Sequence, residues 1–398
     1  MAKKVVLGFS GGLDTSYCVK YLTQEQGCAV HSVIVDTGGF TKGELDEIEK
    51  HAQALGVTSH TTVDAVPHYY NRIIKYLVFG NVLKNNSYPL SVSAERLVQA
   101  LYIAEHAKKL GAHAVAHGST GAGNDQVRFD MIFHVLLPGM EIITPIRDKQ
   151  LSREAEIKYL KGQGVHMNFE KAAYSINKGL WGTSVGGKET LHSNGALPET
   201  AWPTQLEKTG TEQVVLHFEK GELKKINGHP YAQPYEAIKA LQKRAGPYAI
   251  GRDIHIGDTI IGIKGRVGFE AAAPMVIIKA HHALEKHTLT KWQLSWKDTL
   301  AQFYGNWLHE GQVLDPVMRD IEAFFQQAQE TVTGDVFVQL YPYRFQVTGV
   351  SSPHDLMSDR FGKYGEMNNG WTGEDVRGFS KIFGNQVAIH QQINAAAE

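Results

Sequence analysis

Lys4-Val5-Val6-Leu7-Gly8-Phe9-Ser10-Gly11-Gly12-Leu13-Asp14-Thr15-Ser16 is the stretch that decides the fold of this chain. A brief apolar run breaks at Ser10-Gly11-Gly12, and helix-compatible residues resume through Tyr17-Cys18-Val19-Lys20-Tyr21-Leu22, so the segment reads as strand, tight turn and helix. Glycines let backbone approach an anion closely, and the Ser and Thr hydroxyls add donors. The helix start aims free N–H groups and a partial positive charge at the same spot. The loop is therefore a phosphate cradle. It is not the lysine-containing loop of P-loop ATPases, because no Gly-Lys-Ser/Thr follows, and it lacks the glycine spacing of a dinucleotide fingerprint.

Outward from this loop, the first 150 or so residues alternate strand-like runs with longer helical patterns, which marks an α/β fold with a parallel sheet. The strands are expected at 4–9, 30–36, 59–63, 113–117 and 140–144. An amphipathic helix is expected over 94–110, with Leu97, Leu101, Ala104 and Ala107 on one face and Gly111 as its stop. The common order for such alternation is 3-2-1-4-5, with flanking helices. That order makes the first and fourth strands neighbours and opens both of their loops into one crevice. The second loop runs Gly118-Ser119-Thr120-Gly121-Ala122-Gly123-Asn124-Asp125-Gln126-Val127-Arg128-Phe129-Asp130. Its glycines leave backbone room beside an amide, a carboxylate and a guanidinium, which suits an amino-acid substrate next to a nucleotide.

From about residue 170 the pattern changes to α+β. A Gly-, Ser- and Thr-rich stretch over 179–195 precedes strands at 213–219, 254–263 and 335–348 and helices near 233–244 and 312–329. The spaced apolar residues Phe379, Ile382, Phe383, Val387 and Ile389 suit an arm packed on another subunit. The chain has 40 Lys and Arg residues against 41 Asp and Glu, without a dense basic block, so neither a nucleic acid nor a membrane surface is expected as its partner. Its two cysteines, Cys18 and Cys28, rule out a disulfide framework and a zinc ribbon. A cytoplasmic setting is expected, since no signal-like run and no stretch of about 20 apolar residues occurs. The 19 histidines show no paired metal-ligand spacing, and His281-His282 reads as a surface feature.

The loop SGGLDTS, paired at this distance with GSTGAGNDQVRF, resembles the argininosuccinate synthase family of ATP-pyrophosphatases. The likeness continues through Tyr88, Ser93 and Arg96, through Gly251-Arg252, and into Gly262-Ile263-Lys264-Gly265-Arg266, covering most of the chain. It implies ligation of citrulline to aspartate through a citrullyl-adenylate, with ATP consumed to AMP and pyrophosphate and Mg²⁺ accompanying the nucleotide rather than held by protein ligands. It implies a nucleotide-binding domain over 1–168, a synthetase domain over 169–370 and a C-terminal oligomerisation arm over 371–398, in a homotetramer. By matching position, Gly8, Phe9, Ser10, Gly11, Gly12, Leu13, Asp14, Thr15, Ser16, Val35 and Gly118 would hold ATP. Aspartate would meet Thr120, Asn124 and Asp125. Citrulline would meet Tyr88, Ser93, Asn124, Arg128, Ser175 and Ser184, with positions 257 and 269 completing its pocket. No acid–base residue is implied; Ser10, Asp14, Asn124 and Asp125 would position the reactants.

At four places the chain departs from the family pattern. Gly257 stands where the family has a glutamate facing the α-ammonium of citrulline, and Phe269 where it has a pocket tyrosine. Ala122 replaces a usual lysine, and Ser91-Val92-Ser93-Ala94-Glu95-Arg96 replaces the more usual Gly-Thr-Ser/Pro-Leu-Ala-Arg. Loss of the carboxylate at Gly257 raises the alternative of an N-acylcitrulline (acetyl or succinyl) substrate, which has no ammonium and needs space. Against it stands replacement of the partner by Glu95 or Asp258. Remoter alternatives are another ATP-pyrophosphatase ligase, such as a tRNA-thiolating enzyme or an amidotransferase synthetase, and a nucleotide-sensing binding protein.

Overall fold

The computed structural model describes residues 2–169, 174–367 and 370–395. The first sheet consists of β1 (Lys4–Gly8), β2 (Ala29–Asp36), β3 (Ser59–Asp64), β4 (Ala114–Ala116) and β5 (Glu141–Ile143). All five pair in parallel in the order β3-β2-β1-β4-β5, as the alternation predicts. Val5, Val6 and Leu7 are fully buried at the sheet's centre. A strand covered on both faces needs apolar side chains on both, which is why β1 reads as an unbroken run. The helix Glu95–Leu110 packs on this sheet and ends at Gly111, whose φ of 61° is the left-handed value that glycine adopts without strain. Its apolar stripe is rotated slightly from the expected one, since Leu101 is only partly buried and Ile103 lies inside.

The chain continues with β6 (Ser175–Gly179), β7 (Gly182–Gly186), β8 (Glu212–Glu219), β9 (Glu222–Ile226) and β10 (His229–Pro230). It then forms β11 (Arg252–Asp258), β12 (Lys264–Glu270), β13 (Gly334–Tyr341) and β14 (Arg344–Ser351). These make two antiparallel sheets, ordered β11-β12-β7-β6 and β10-β9-β8-β13-β14. Three sequence expectations change here. The strand expected over 254–263 stops at Asp258, because the Thr259 hydroxyl donates to the Ile263 carbonyl at 2.8 Å and closes a turn. The run 335–348 is a hairpin that turns at Pro342-Tyr343, with Tyr343 at φ 64°. His281 is fully buried, its ring nitrogens 2.6 Å from Asn81 Oδ1 and 2.8 Å from Gln329 Oε1, so it is a core histidine and not a surface one.

The hairpin β6–β7 joins the two halves at the edge of the parallel sheet that carries the loops. Leu180 N–H donates to the Thr37 carbonyl at 3.0 Å, and the fully buried Trp181 donates its indole N–H to the Pro89 carbonyl at 2.9 Å. Gly39 lies flat against this hairpin: a Cβ there would fall 1.9 Å from the Lys178 carbonyl oxygen. Gly39→Ala must therefore push backbone from backbone, and we expect it to lose about 1–3 kcal/mol of stability by urea denaturation. An unchanged midpoint would show that the junction opens freely.

Residues Met1–Ser352 form one compact unit and Pro353–Glu398 a second. Within the second, the helices Gly373–Phe383 and Asn385–Ala395 are consecutive, and Thr372 and Asp375 cap the first of them reciprocally. Phe379 and Phe383 stack at 5.2 Å. Residues 396–398 of the expected arm lie outside the described residues. No described helix is long and apolar enough to cross a membrane.

Candidate active site

Because β1 and β4 are neighbours, the loops that follow them touch. A Cβ on Gly118 would lie 3.3 Å from the Asp14 backbone and from Thr15 Cγ2, so a side chain at 118 would have to push the loops apart. Gly11 turns the first loop with φ 77°. The Ser16 hydroxyl donates to the Gly12 carbonyl at 2.8 Å and lies 2.9 Å from His51 Nε2. Ser10 Oγ and Thr15 Oγ1 are 3.3 Å apart. No side chain caps the helix Leu13–Lys20, so its first N–H groups face the loop as the phosphate reading requires. Phe9 and Val35 are buried beneath, and Gly8 packs on Ile103, whose Cδ1 would be 2.8 Å from an added Cβ. From the helix Arg153–Gly162, Glu156 shares a hydrogen bond with Asp14. Burial and then the Asp14 charge push the Glu156 carboxyl up to about 8.

The second loop is braced from below. Ser119 N–H donates to His117 Nδ1 at 3.2 Å, which leaves the proton on Nε2, 2.9 Å from Asp130 Oδ1; Arg147 donates to the other Asp130 oxygen at 2.6 Å. Gln126 donates to the carbonyls of Gly121 and Gly123 at 2.7 and 3.1 Å. Asn124 Oδ1 accepts from Ile260 N–H at 2.8 Å, tying the loop to the β11–β12 turn. Ala122 is exposed within this loop.

Asp125 sits between two guanidinium groups, Arg128 Nη1 at 2.7 Å and Arg96 Nε at 3.1 Å. Burial raises its carboxyl, but the two arginines outweigh that and hold it below the usual carboxylate range. Arg128 is 3% exposed, whereas 40% of the Asp125 side chain is open to solvent, so a ligand reaches the carboxylate more readily than the cation. Arg128 also donates to the His309 carbonyl at 2.9 Å and lies 3.2 Å from His309 Nδ1. Arginine only donates, so the His309 proton is on Nε2 and the ring is neutral. Burial, then Arg128 and Lys84, push its pKa down to about 3.

Of the expected citrulline residues, Tyr88, Phe269 and Ser184 connect to this cluster through a continuous path of contacts. Tyr88 stacks on His255 at 4.8 Å and meets Phe269 with the rings tilted by 55° and 5.3 Å apart, and its hydroxyl accepts from Val92 N–H at 3.3 Å. Phe269 faces Ser184 across β12 and β7. Asn177 donates to Ser184 Oγ at 3.5 Å and accepts from Arg96 at 3.0 Å. Ser93 Oγ is buried without a partner. Ser175 and Thr120 are exposed, and no hydrogen bond joins either to the cluster.

Gly257 does not leave the space expected of it. His255 and Gly257 both point inward from β11, and a Cβ on Gly257 would lie 2.6 Å from His255 Nε2 and 3.2 Å from Asn85 Nδ2. The His255 imidazole occupies the place, with its Nδ1 unpartnered and its pKa pushed down to about 4 by burial, then by Lys84. Neither proposed stand-in offers a free carboxylate. Asp258 pairs with Lys264 on the exposed face, and Glu95 has both oxygens engaged. Sequence reading missed Thr37, Asn177, His255, His309 and Glu156, which reach the site only through long-range packing. A depression of about 700 Å³ between Gln213, His217, Lys225 and Asp335 contains none of the expected site residues.

A family profile described as arginosuccinate synthase N-terminal HUP domain matches residues 4–166, and one described as arginosuccinate synthase C-terminal domain matches 174–390. Proteins named argininosuccinate synthase are similar over nearly their whole length. That of Xylella fastidiosa is 38% identical over 404 residues, 98% of each chain. That of Methanocaldococcus jannaschii is 36% identical over 394 residues, again 98% of each. That of Sulfurisphaera tokodaii is 32% identical over 393 residues, covering 98% of this chain and 99% of its own.

Proposed function

The chain belongs to the argininosuccinate synthase family, and from that premise we propose how its own residues carry out the ATP-dependent joining of citrulline to aspartate. The chain is an ATP-dependent ligase. The observation that carries the reading is the contact of the phosphate loop with Gly118, at the head of the second loop, at the switch point of the sheet, with Asp125 farther along that second loop held between two arginines.

The residues Gly8 to Ser16 take the phosphates of ATP, with Ser10 to Asp14 on the pyrophosphate end and Val35 and Gly118 beside the nucleotide. Uncapped helix N–H groups suit phosphate oxygens, and the Asp14 carboxyl beside them suits a hydrated Mg²⁺ brought by ATP. The ureido oxygen of citrulline attacks the α-phosphorus as the bond to the bridging oxygen breaks and pyrophosphate leaves. The amine of aspartate then attacks the ureido carbon, and AMP departs with the former ureido oxygen. Tyr88, Ser93, Asn124, Arg128, Ser175 and Ser184 hold citrulline; Thr120, Asn124 and Asp125 hold aspartate. The protein lowers the barrier by alignment and fixed charge. The nucleotide domain is assigned to 1–168, the synthetase domain to 169–370 and the arm to 371–398. We assign the chain to a homotetramer in the cytoplasm; the apolar spacing of Val376, Phe379 and Phe383 on the arm helix suits packing on another subunit.

The acylated substrate is not carried forward. His255 fills the space on which that alternative rested, and the relatives are named as argininosuccinate synthases. The test of the reading is pyrophosphate release: it should require ATP and both amino acids, and release that ignores aspartate and citrulline would refute it.

The Asp14–Glu156 pair gives a separate expectation. Below about pH 8 Glu156 carries a proton; above it the Glu156 carboxyl is charged beside the phosphate loop. The KM for ATP should therefore rise above about pH 8 in the wild type and stay flat in Glu156→Gln, whose amide keeps donating to Asp14. Parallel profiles for the two proteins would remove this pair as the cause.

A further inference from the structure

Glu95 opens the helix Glu95–Leu110 with a side chain that is 1% exposed, an unusual place for a carboxyl. It sits at the junction of three elements. Thr37 Oγ1, just past β2, donates to its Oε2 at 2.9 Å, and Arg96 Nη1 donates to its Oε1 at 3.1 Å. The third neighbour is Gly179 at the end of β6, where an added Cβ would fall 2.1 Å from Glu95 Oε2. With both oxygens committed and no solvent access, Glu95 does not meet a substrate directly. It acts through Arg96.

Arg96 is fully used. Its Nε donates to Asp125, its Nη1 to Glu95 and Gln99, and its Nη2 to Asn177, which in turn donates to Ser184. One guanidinium thus divides its charge between Glu95 and Asp125 and ties the aspartate side of the site to the citrulline side. We propose that Glu95 is a positioning residue: its charge state sets how tightly Arg96 holds Asp125, and so how free the Asp125 carboxylate is to take the amino group of aspartate. This rests on the ligase reading above, with aspartate bound at Asp125.

The charged and titratable groups around Glu95 are Arg96 on its own helix, Asp125 on the helix Asp125–Leu136, Asp36 at the end of β2 and Tyr69 on the segment Val66–Tyr69. Burial is the largest influence and raises the carboxyl; Arg96 and Thr37 lower it; Asp125 and Asp36 raise it again, to about 7. Below that pH Glu95 is neutral, and Arg96 draws on Asp125 alone. Above it Glu95 is charged, takes its share of Arg96, and Asp125 is released toward the substrate. Aspartate use should therefore improve as pH rises through 7.

The test is the pH profile of kcat/KM for aspartate, measured by pyrophosphate release on the full chain from about pH 6 to about pH 9. The wild type should rise through an inflection near pH 7 and level off. Glu95→Gln keeps an acceptor for Thr37 but no charge. It should lose the inflection and hold a KM for aspartate about fivefold above wild type at high pH, with the KM for ATP unmoved. Thr37→Val removes the hydrogen bond that lowers the Glu95 carboxyl, so it should shift the inflection upward; this variant decides the matter if Glu95→Gln does not fold. An inflection that persists in Glu95→Gln, or stays in place in Thr37→Val, overturns the proposal and leaves the ligase reading standing. A wild type that releases pyrophosphate without regard to aspartate overturns both.

Discussion

The Gly12→Asp protein should fold as well as the wild type and bind ATP on the order of a thousandfold more weakly. Position 12 has φ −78° and ψ 178°, ordinary extended backbone, and a Cβ there meets only Ser10 Oγ, at 3.4 Å. It is the N-cap of the helix Leu13–Lys20, where an aspartate satisfies free N–H groups and complements the helix dipole, a gain of a few tenths of a kcal/mol over glycine. The same carboxylate stands where the phosphates bind. Two unit charges about 4 Å apart near a protein surface repel by about 4 kcal/mol, which is the thousandfold expected. Thermal melting with and without ATP separates the two effects: the apo protein should melt no lower than wild type, and the shift on adding ATP should vanish. A retained ATP shift would show that this loop is not the phosphate site.

Asp125→Asn should lower kcat/KM for aspartate by about a hundredfold. Asparagine keeps the shape but has one acceptor oxygen, so it can accept from Arg128 or Arg96 but not from both, and the loss reports the charge together with one hydrogen bond. Removing one partner of a buried pair costs about 3–5 kcal/mol, and the 40% exposure of this side chain brings the figure down toward about 2–3 kcal/mol. The KM for ATP should stay within about twofold, since Asp125 has no part in the phosphate loop. An equal loss for ATP and aspartate would mean that the substitution disturbs the loop as a whole. Unchanged aspartate kinetics would remove Asp125 from the amino group's binding site.

The parallel sheet was legible in the sequence because its information is local: each strand is a short apolar run, and each loop that binds a ligand breaks the run with glycine. The helix Glu95–Leu110 carried its own stop at Gly111. The antiparallel half was less legible. Its hairpin at Pro342-Tyr343 keeps apolar alternation on both sides of a turn that contains no glycine, so two strands look like one. The hairpin β6–β7 is rich in glycine and serine, and it is a strand pair because Trp181 and Val185 are buried by the rest of the fold. The long helices Ala272–Thr288 and Lys291–His309 were missed altogether; the first buries most of its surface and leaves only a narrow stripe with Lys279, His282 and Lys286 to set a period.

The site divides along the same line. The loops SGGLDTS and GSTGAGNDQVRF announce themselves as sequence, and so does the exchange at position 257. What fills the space beside Gly257 does not, because the answer is the ring of His255 two residues earlier on the same face of β11. Periodicity says that the two share a face, but only packing says that one occupies the other's place. Glu95 is a similar case. Its spacing marks a helix start, where a carboxylate is ordinarily exposed and welcome; its burial comes from Thr37 and Gly179, which are remote in sequence.

The most direct test of the ligase mechanism follows the ureido oxygen. With citrulline labelled by ¹⁸O at that position, together with ATP, Mg²⁺ and aspartate, mass spectrometry of the products should place the label in AMP, with pyrophosphate unlabelled and formed in equal amount. ADP and phosphate as products, or AMP that carries no label, would contradict the activation of citrulline at its ureido oxygen and with it the assignment of the two loops to one reaction.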